Sequence, residues 1–228
     1  MQAAMLVMLG ALAGYEMRRM TFLRRCGYPR AALRRYKRLS LMLGLTIWGA
    51  MLCQEAVLLL SGSLHWQTGL PLHLCSLAGV LTLPMLLTGS SVLWHFALCL
   101  GLPGAVLALI YPAIPQTAHP MLARASFCLL HAGLVIAPML PFALGRRPTL
   151  RGAGEAWLAL MVLGAAAMAV NGLLGSNYLF LRAPVPGTPL EWLARGGLGR
   201  YRLRLAAASA LLLLLEGLLA HRLWGRRG

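Results

Sequence analysis

Apolar runs of about 20 residues, separated by short polar or basic connections, dominate this sequence. A run of that length crosses roughly 30 Å of hydrocarbon as an α-helix, because each residue advances the helix by about 1.5 Å. Hydrophobic residues make up 59% of the 228 residues and charged residues only 11%, a composition too apolar for a soluble domain. The pattern predicts an all-α, polytopic transmembrane helix bundle that forms one integral membrane domain over residues 1–228.

Seven candidate spans follow from the positions of the apolar runs. They cover residues 1–17, 39–61, 70–88, 91–110, 121–144, 156–176 and 203–222. Seven helices of ~21 residues use about 150 positions, which leaves no room for a separate soluble domain. The first span is expected to be a retained helix, because its basic cluster follows the apolar run, whereas a signal peptide has its basic residues first.

The distribution of basic residues predicts the orientation of the bundle. The connection 18–38 holds nine Lys or Arg and no acid, so the positive-inside rule places it in the cytoplasm. Alternation from there puts the N-terminus outside and the C-terminus in the cytoplasm. The loop 177–202 departs from the rule, because it is expected outside although it carries four arginines.

Two interpretations of the loop 177–202 stay open. Its prolines and the segment Leu190–Leu193 predict a structured outer loop with a short interfacial helix, whose arginines, Arg182 among them, bind lipid phosphates. Alternatively, the sixth or the seventh span is wrongly assigned.

The net charge of +16 is attributed to the membrane interface, since the arginines cluster between spans. The expected partner is therefore a membrane lipid and not nucleic acid, and the oligomeric state is left open. The cysteines lie singly, without a Cys-x-x-Cys pair, so free thiols are predicted, and no metal or cofactor is expected. They are Cys26, Cys53, Cys75, Cys99 and Cys128.

Polar side chains at membrane depth are costly and therefore indicate function. In a third span that begins at residue 70, Cys75 shares a face with Pro71, Ala78 and Gly79, while His73 points the opposite way. Small residues let a neighbouring helix approach, so Cys75 is predicted to face the bundle interior. The competing interpretation is an inert thiol that packs as a small apolar side chain.

The fifth span carries Arg124, Cys128 and His131 on one helical stripe, with Arg124 nearest the outside. A guanidinium at headgroup depth could pair with a lipid phosphate and the imidazole below it with the ester region. Alternatively, the Arg124 side chain only extends to the membrane–water interface, and His131 forms a hydrogen bond with a neighbouring carbonyl.

Other polar residues complete a predicted pocket between the second, third, fifth and sixth helices. Glu55 is the clearest intramembrane acid and should be protonated, paired or hydrated. Asn177 and Tyr178 lie at the outer end of the sixth helix. A lipid substrate would then contact His73, Glu55, Arg124, Asn177, Tyr178 and Arg182.

Several motifs in this order resemble the YwaF-like family of bacterial integral membrane proteins. The most specific are Leu70-Pro71-Leu72-His73-Leu74-Cys75 and Asn177-Tyr178-Leu179-Phe180-Leu181, and the match runs from about residue 50 to 200. Between them lie Gly101-Leu102-Pro103-Gly104, Tyr111-Pro112, His119-Pro120 and Leu130-His131-Ala132-Gly133. The resemblance implies a polytopic protein of the bacterial cytoplasmic membrane.

That family is distantly similar to eukaryotic membrane acyltransferases and fatty-ester hydrolases that pair a Cys or Thr nucleophile with a His on another helix. Carried onto this chain, the similarity implies Cys75 as nucleophile and His131 as base, with Glu55 or Asn177 as candidates for a third, orienting residue.

Three functions remain in competition at this point. The first is a lipid-active thiol enzyme that transfers or hydrolyses an acyl chain. The second is a transporter or flippase-like protein with a path along Glu55, His73 and His131. The third is a structural or assembly protein whose polar residues only hold helices together.

Overall fold

The computed structural model describes residues 2–114 and 116–224, and these ranges contain helices and no strand. The α-helices are α1 (Gln2–Arg25), α2 (Pro29–Leu60), α3 (Leu74–Thr88), α4 (Ser91–Phe96), α5 (Leu102–Ile110), α6 (Pro120–Ile136), α7 (Leu140–Ala143), α8 (Leu150–Leu174), α9 (Leu190–Leu193) and α10 (Leu198–Trp224). A π-helical turn, Ala97–Gly101, joins α4 to α5, and 3-10 turns lie at Ala137–Met139 and Tyr178–Phe180.

Each predicted apolar span lies mostly in helix, which confirms the all-α class. Four helical segments in the described ranges are long and apolar enough to cross a membrane, and α3 is a shorter apolar helix of 15 residues. The four are Pro29–Leu60, Ser91–Ile110, Pro120–Ala143 and Leu150–Leu174. The count of seven spans and the orientation remain predictions.

Helix α2 is the centre of the packing, since α6, α3 and α1 all contact it. A methyl group built on Gly133 of α6 would lie 2.5 Å from Cγ1 of Ile47, and one on Gly44 would lie 2.5 Å from Cδ1 of Leu83. Glycine is therefore required for these helices to approach, as small residues commonly allow in membrane bundles.

Large apolar side chains cover much of the outer surface of the bundle. Leu52 of α2 is 71% exposed, Leu173 of α8 is 85% exposed and Leu203 of α10 is 72% exposed. An exposed apolar surface of this kind suits hydrocarbon and not water.

The basic connection 18–38 forms a helical hairpin and not an irregular loop. Helix α1 continues to Arg25 and α2 begins at Pro29, so only residues 26–28 form the turn. Glu16 of α1 forms an ion pair with Arg35 of α2, with Nη2 of the arginine 2.6 Å from a carboxylate oxygen. The hairpin therefore extends both helices beyond their apolar segments.

The fourth predicted span contains a local irregularity at Gly101 and Pro103, residue types that commonly kink or end a helix. The helix continues there through a π-helical turn, in which Leu102 donates its N–H to the carbonyl of Ala97. A π-turn inserts one residue and accommodates the missing N–H of a proline without ending the helix.

His95 connects α4 to the start of α8. It is 2% exposed, its Nδ1–H donates to the Ser91 carbonyl at 2.8 Å, and its Nε2 accepts the N–H of Thr149 at 3.1 Å. Thr149 caps α8, since its side chain accepts from Gly152. His95 is thus a packing histidine that also fixes where α8 begins.

Candidate functional site

Helix α3 begins at Leu74, four residues later than the sequence indicated. His73 is its N-terminal flanking residue in an extended conformation, and no side chain caps this end. Pro71 therefore lies outside the helix, so the predicted face shared by Pro71 and Cys75 does not exist. The residue before a proline avoids the α conformation, and the N–H of Leu70 is held by the hydroxyl of Tyr178 at 3.0 Å.

The late start puts Cys75 in the first turn of α3. Within the described residues, the N–H groups of Leu74, Cys75 and Ser76 have no hydrogen-bond partner, and the first paired amide is that of Leu77. The Cys75 side chain is partly buried beside Gly104 of α5, where an added methyl would lie 3.8 Å from the sulfur. Free amides and a thiol thus occupy the same end of one helix.

His131 is buried in α6 and its ring has a defined orientation. Its Nδ1 lies 2.8 Å from the carbonyl oxygen of Phe127, and the two rings are 4.1 Å apart. A carbonyl can only accept, so Nδ1 carries the proton and Nε2 is the nitrogen left to act as a base.

Cys75 and His131 do not form a hydrogen bond in the described structure. Gly79 of α3 packs against the side chain of Leu130 of α6, which sets the register of these two helices. If that contact is taken as level and the two helices as parallel, Cys75 and His131 are offset by about 7.5 Å along the helix axes, with Cys75 nearer the end at which both helices begin. A substrate group or a water would have to bridge them.

His73 packs between two aromatic rings of the loop that follows α8. Its ring centroid lies 5.1 Å from those of both Tyr178 and Phe180, and its Nδ1 is buried without a partner in the described structure. His73 and Cys75 therefore lie at the same end of α3, and His73 faces the α8–α9 loop.

Asn171 organises the chain just after α8. Its side chain accepts the N–H of Tyr178 at 2.7 Å and the hydroxyl of Ser176 at 2.8 Å, and it donates to the Tyr178 carbonyl at 2.9 Å. These bonds hold a turn in which Leu179 and Phe180 both have φ of 55°, a conformation that costs free energy in residues other than glycine.

The predicted contact residues Asn177 and Tyr178 use their polar atoms within the protein. Asn177 accepts the N–H groups of Arg182 and Ala183 and donates to the carbonyl of Ala183. The Tyr178 hydroxyl donates to the carbonyl of Trp66 at 2.6 Å. Both side chains therefore stabilise the loops near the end of α3 at which Cys75 lies.

The remaining predicted contact residues lie on the outside of the protein. Glu55 is exposed on α2 and does not line the interior, contrary to the pocket expected from the sequence. Arg124 is exposed near the start of α6. Arg182 is also exposed, and its guanidinium donates to the carbonyl of Asn171 at the end of α8.

His131 is oriented by the backbone carbonyl of Phe127, four residues earlier on the same helix, rather than by Glu55 or Asn177. This agrees with the alternative interpretation, in which His131 bonds a neighbouring carbonyl. A histidine in a helix can reach the carbonyl one turn before it. Within the described residues, no group of three or more His, Cys, Asp or Glu is arranged to hold a metal ion.

The model of a family described as the TMEM164 family matches residues 1–220. No curated protein and no solved structure matches the chain.

Proposed function

We propose, from the premise that the chain belongs to the TMEM164 family of membrane proteins, that it is a lipid-active thiol enzyme that transfers or hydrolyses an acyl chain. The proposal includes seven spans in the cytoplasmic membrane of a bacterium, with the N-terminus outside. Its nucleophile is Cys75 and its base is His131. The observation that carries it is the position of Cys75 in the uncapped first turn of α3.

A helix N-terminus helps thiol chemistry in two ways. The partial positive charge of the helix end stabilises the negative charge that develops as the sulfur attacks the acyl group. The unpaired amides of Leu74, Cys75 and Ser76 can donate hydrogen bonds to the oxyanion of a tetrahedral intermediate, as donors in acyl-transfer enzymes do. A helix that began at residue 70 would have buried these amides in its own hydrogen bonds.

The proposed acyl transfer uses Cys75 as nucleophile and His131 as the group that takes up and returns the proton. The Cys75 thiol gives its proton to Nε2 of His131 through a bridging water, and the sulfur attacks the acyl carbonyl carbon. The bond between that carbon and the glycerol oxygen of the lipid ester then breaks. The departing oxygen takes the proton from His131. Water or the hydroxyl of a second lipid then attacks the thioester and restores the thiol.

One observation favours this function over the transport alternative. A transport path through Glu55 and His131 would need both in the interior, whereas Glu55 is exposed and His131 is buried. A purely structural bundle is the competing function, and the experiment below distinguishes the two.

Trapping of the acyl-enzyme tests the proposal. Purified protein is incubated with a phospholipid that carries a clickable acyl chain, and hydroxylamine-sensitive label is quantified. Label is expected on the wild type and on Cys53→Ala, whose cysteine is also partly buried, and it should be lost in Cys75→Ala. Equal label in both variants, or none in the wild type, contradicts the proposal.

A further inference from the structure

The tip of the α1–α2 hairpin concentrates positive charge without neutralising groups. Eight of its nine basic residues are exposed, and the ninth, Arg35, pairs with Glu16. No Asp or Glu occurs between residues 17 and 54. The eight are Arg18, Arg19, Arg24, Arg25, Arg30, Arg34, Lys37 and Arg38.

An open surface cavity of about 330 Å³ lies at this tip. It is lined by Gly27, Tyr28, Pro29, Arg30, Ala31 and Arg34. Within the described residues, neither Arg30 nor Arg34 forms a hydrogen bond or an ion pair. Their guanidinium groups lie four residues apart along α2, so both are on one helical face.

The length of the hairpin places this cavity away from the hydrocarbon. The helices continue past the predicted ends of their apolar segments by eight residues in α1 and ten in α2, or about 12–15 Å. Lipid headgroups occupy only about 5–8 Å on each side of the hydrocarbon. The cavity therefore reaches the aqueous edge of the headgroup layer.

We propose that this cavity binds a phosphate-bearing anion, held by Arg30 and Arg34. Guanidinium groups donate two parallel hydrogen bonds to phosphate, which makes arginine the preferred side chain for it. The anion comes either from a soluble phosphate compound or from the phosphate of an anionic lipid, since both offer the same group at this depth. The site is separate from the proposed thiol chemistry and does not depend on it.

The experiment uses the full chain in nanodiscs and has two arms. In the first, the nanodiscs contain only phosphatidylcholine, and binding of inorganic pyrophosphate is measured by titration calorimetry. In the second, without pyrophosphate, the rise of the thermal unfolding midpoint is measured as phosphatidic acid replaces phosphatidylcholine. Binding in the first arm assigns a soluble anion and stabilisation in the second assigns a lipid phosphate, and either result supports the site.

Two double variants with the same charge change separate a site from general charge attraction. Arg30→Gln with Arg34→Gln should weaken pyrophosphate binding, or raise the phosphatidic acid needed, by about 10- to 30-fold, since each basic group near anionic phosphate contributes about a fivefold step. Arg18→Gln with Arg19→Gln, outside the cavity, should change the affinity for pyrophosphate by less than about threefold.

The proposal is overturned if neither arm shows an effect in the wild-type protein, or if both double variants lose binding equally. All four arginines are exposed, and the unfolding midpoint of each variant without ligand shows directly whether its fold is retained.

Discussion

The hydroxyl of Tyr178 donates a 2.6 Å hydrogen bond to the backbone carbonyl of Trp66, which lies 112 positions earlier in the chain. The same oxygen accepts the N–H of Leu70, so one side chain ties the α8–α9 loop to the segment that precedes α3. This connection defines the end of α3 at which Cys75 lies.

Tyr178→Phe is expected to destabilise the protein by about 1–3 kcal/mol, because it leaves the N–H of Leu70 and the carbonyl of Trp66 without their partner. Tyr178 is 0% exposed, so water does not replace the hydroxyl easily. The thermal unfolding midpoint of detergent-purified protein measures the effect. Tyr111→Phe is the control, since Tyr111 is 43% exposed. Equal midpoints for the two variants would show that the connection contributes nothing.

Gly152→Ala is expected to destabilise the junction of α4 and α8. A methyl at Gly152 would lie 2.2 Å from Nε2 of His95, and overpacking of this kind costs about 1–3 kcal/mol. Gly154→Ala, in the same helix, meets nothing within 4 Å and should stabilise by up to about 1 kcal/mol. Unfolding midpoints measure both changes. If Gly152→Ala unfolds no earlier than Gly154→Ala, the close contact with His95 is not important for stability.

His131→Ala is expected to slow the alkylation of Cys75 by iodoacetamide at neutral pH by at least about tenfold, because general-base assistance typically contributes 10²–10⁴-fold. Mass spectrometry of quenched samples gives the rate at each cysteine. Cys26, which is exposed in the hairpin turn, reports the unassisted rate in the same sample.

The alkylation experiment also distinguishes the two histidines near the site. His73→Ala should leave the Cys75 rate within about threefold of the wild type, since His131 is the proposed base. A larger loss in His73→Ala than in His131→Ala would reverse the assignment and make His73 the base.

Topology is testable through Cys26. With the other four cysteines replaced by alanine, a membrane-impermeant maleimide should label Cys26 in inverted vesicles and not in right-side-out cells, because the basic hairpin is predicted to be cytoplasmic. Reporter fusions at residues 28 and 150 should both give the cytoplasmic signal. Labelling of Cys26 from outside the cell would refute the predicted orientation.

Hydropathy located the helices well, but it placed the start of α3 wrongly. Residues 70–73 are apolar enough to continue the helix, yet the Leu70 N–H is bonded to Tyr178. Hydropathy was also insufficient for Glu55. This residue was predicted to line an interior pocket because it is an acid at membrane depth, whereas it is exposed on α2. Which face of a helix is buried depends on its neighbours, and these are not encoded in a single apolar run.

The sequence by itself determined that this chain is a set of membrane-compatible helices, because apolar composition and backbone hydrogen bonding act within each stretch of about 20 residues. It also identified Cys75, His73, His131 and Tyr178 as residues to examine. Only the tertiary structure decided that Cys75 lies in the first turn of a helix, beside free amides, and that Tyr178 holds the adjacent loop. Those features arise from contacts between segments more than 100 residues apart, such as Tyr178 with Trp66, and local physical rules contain no information about such pairs.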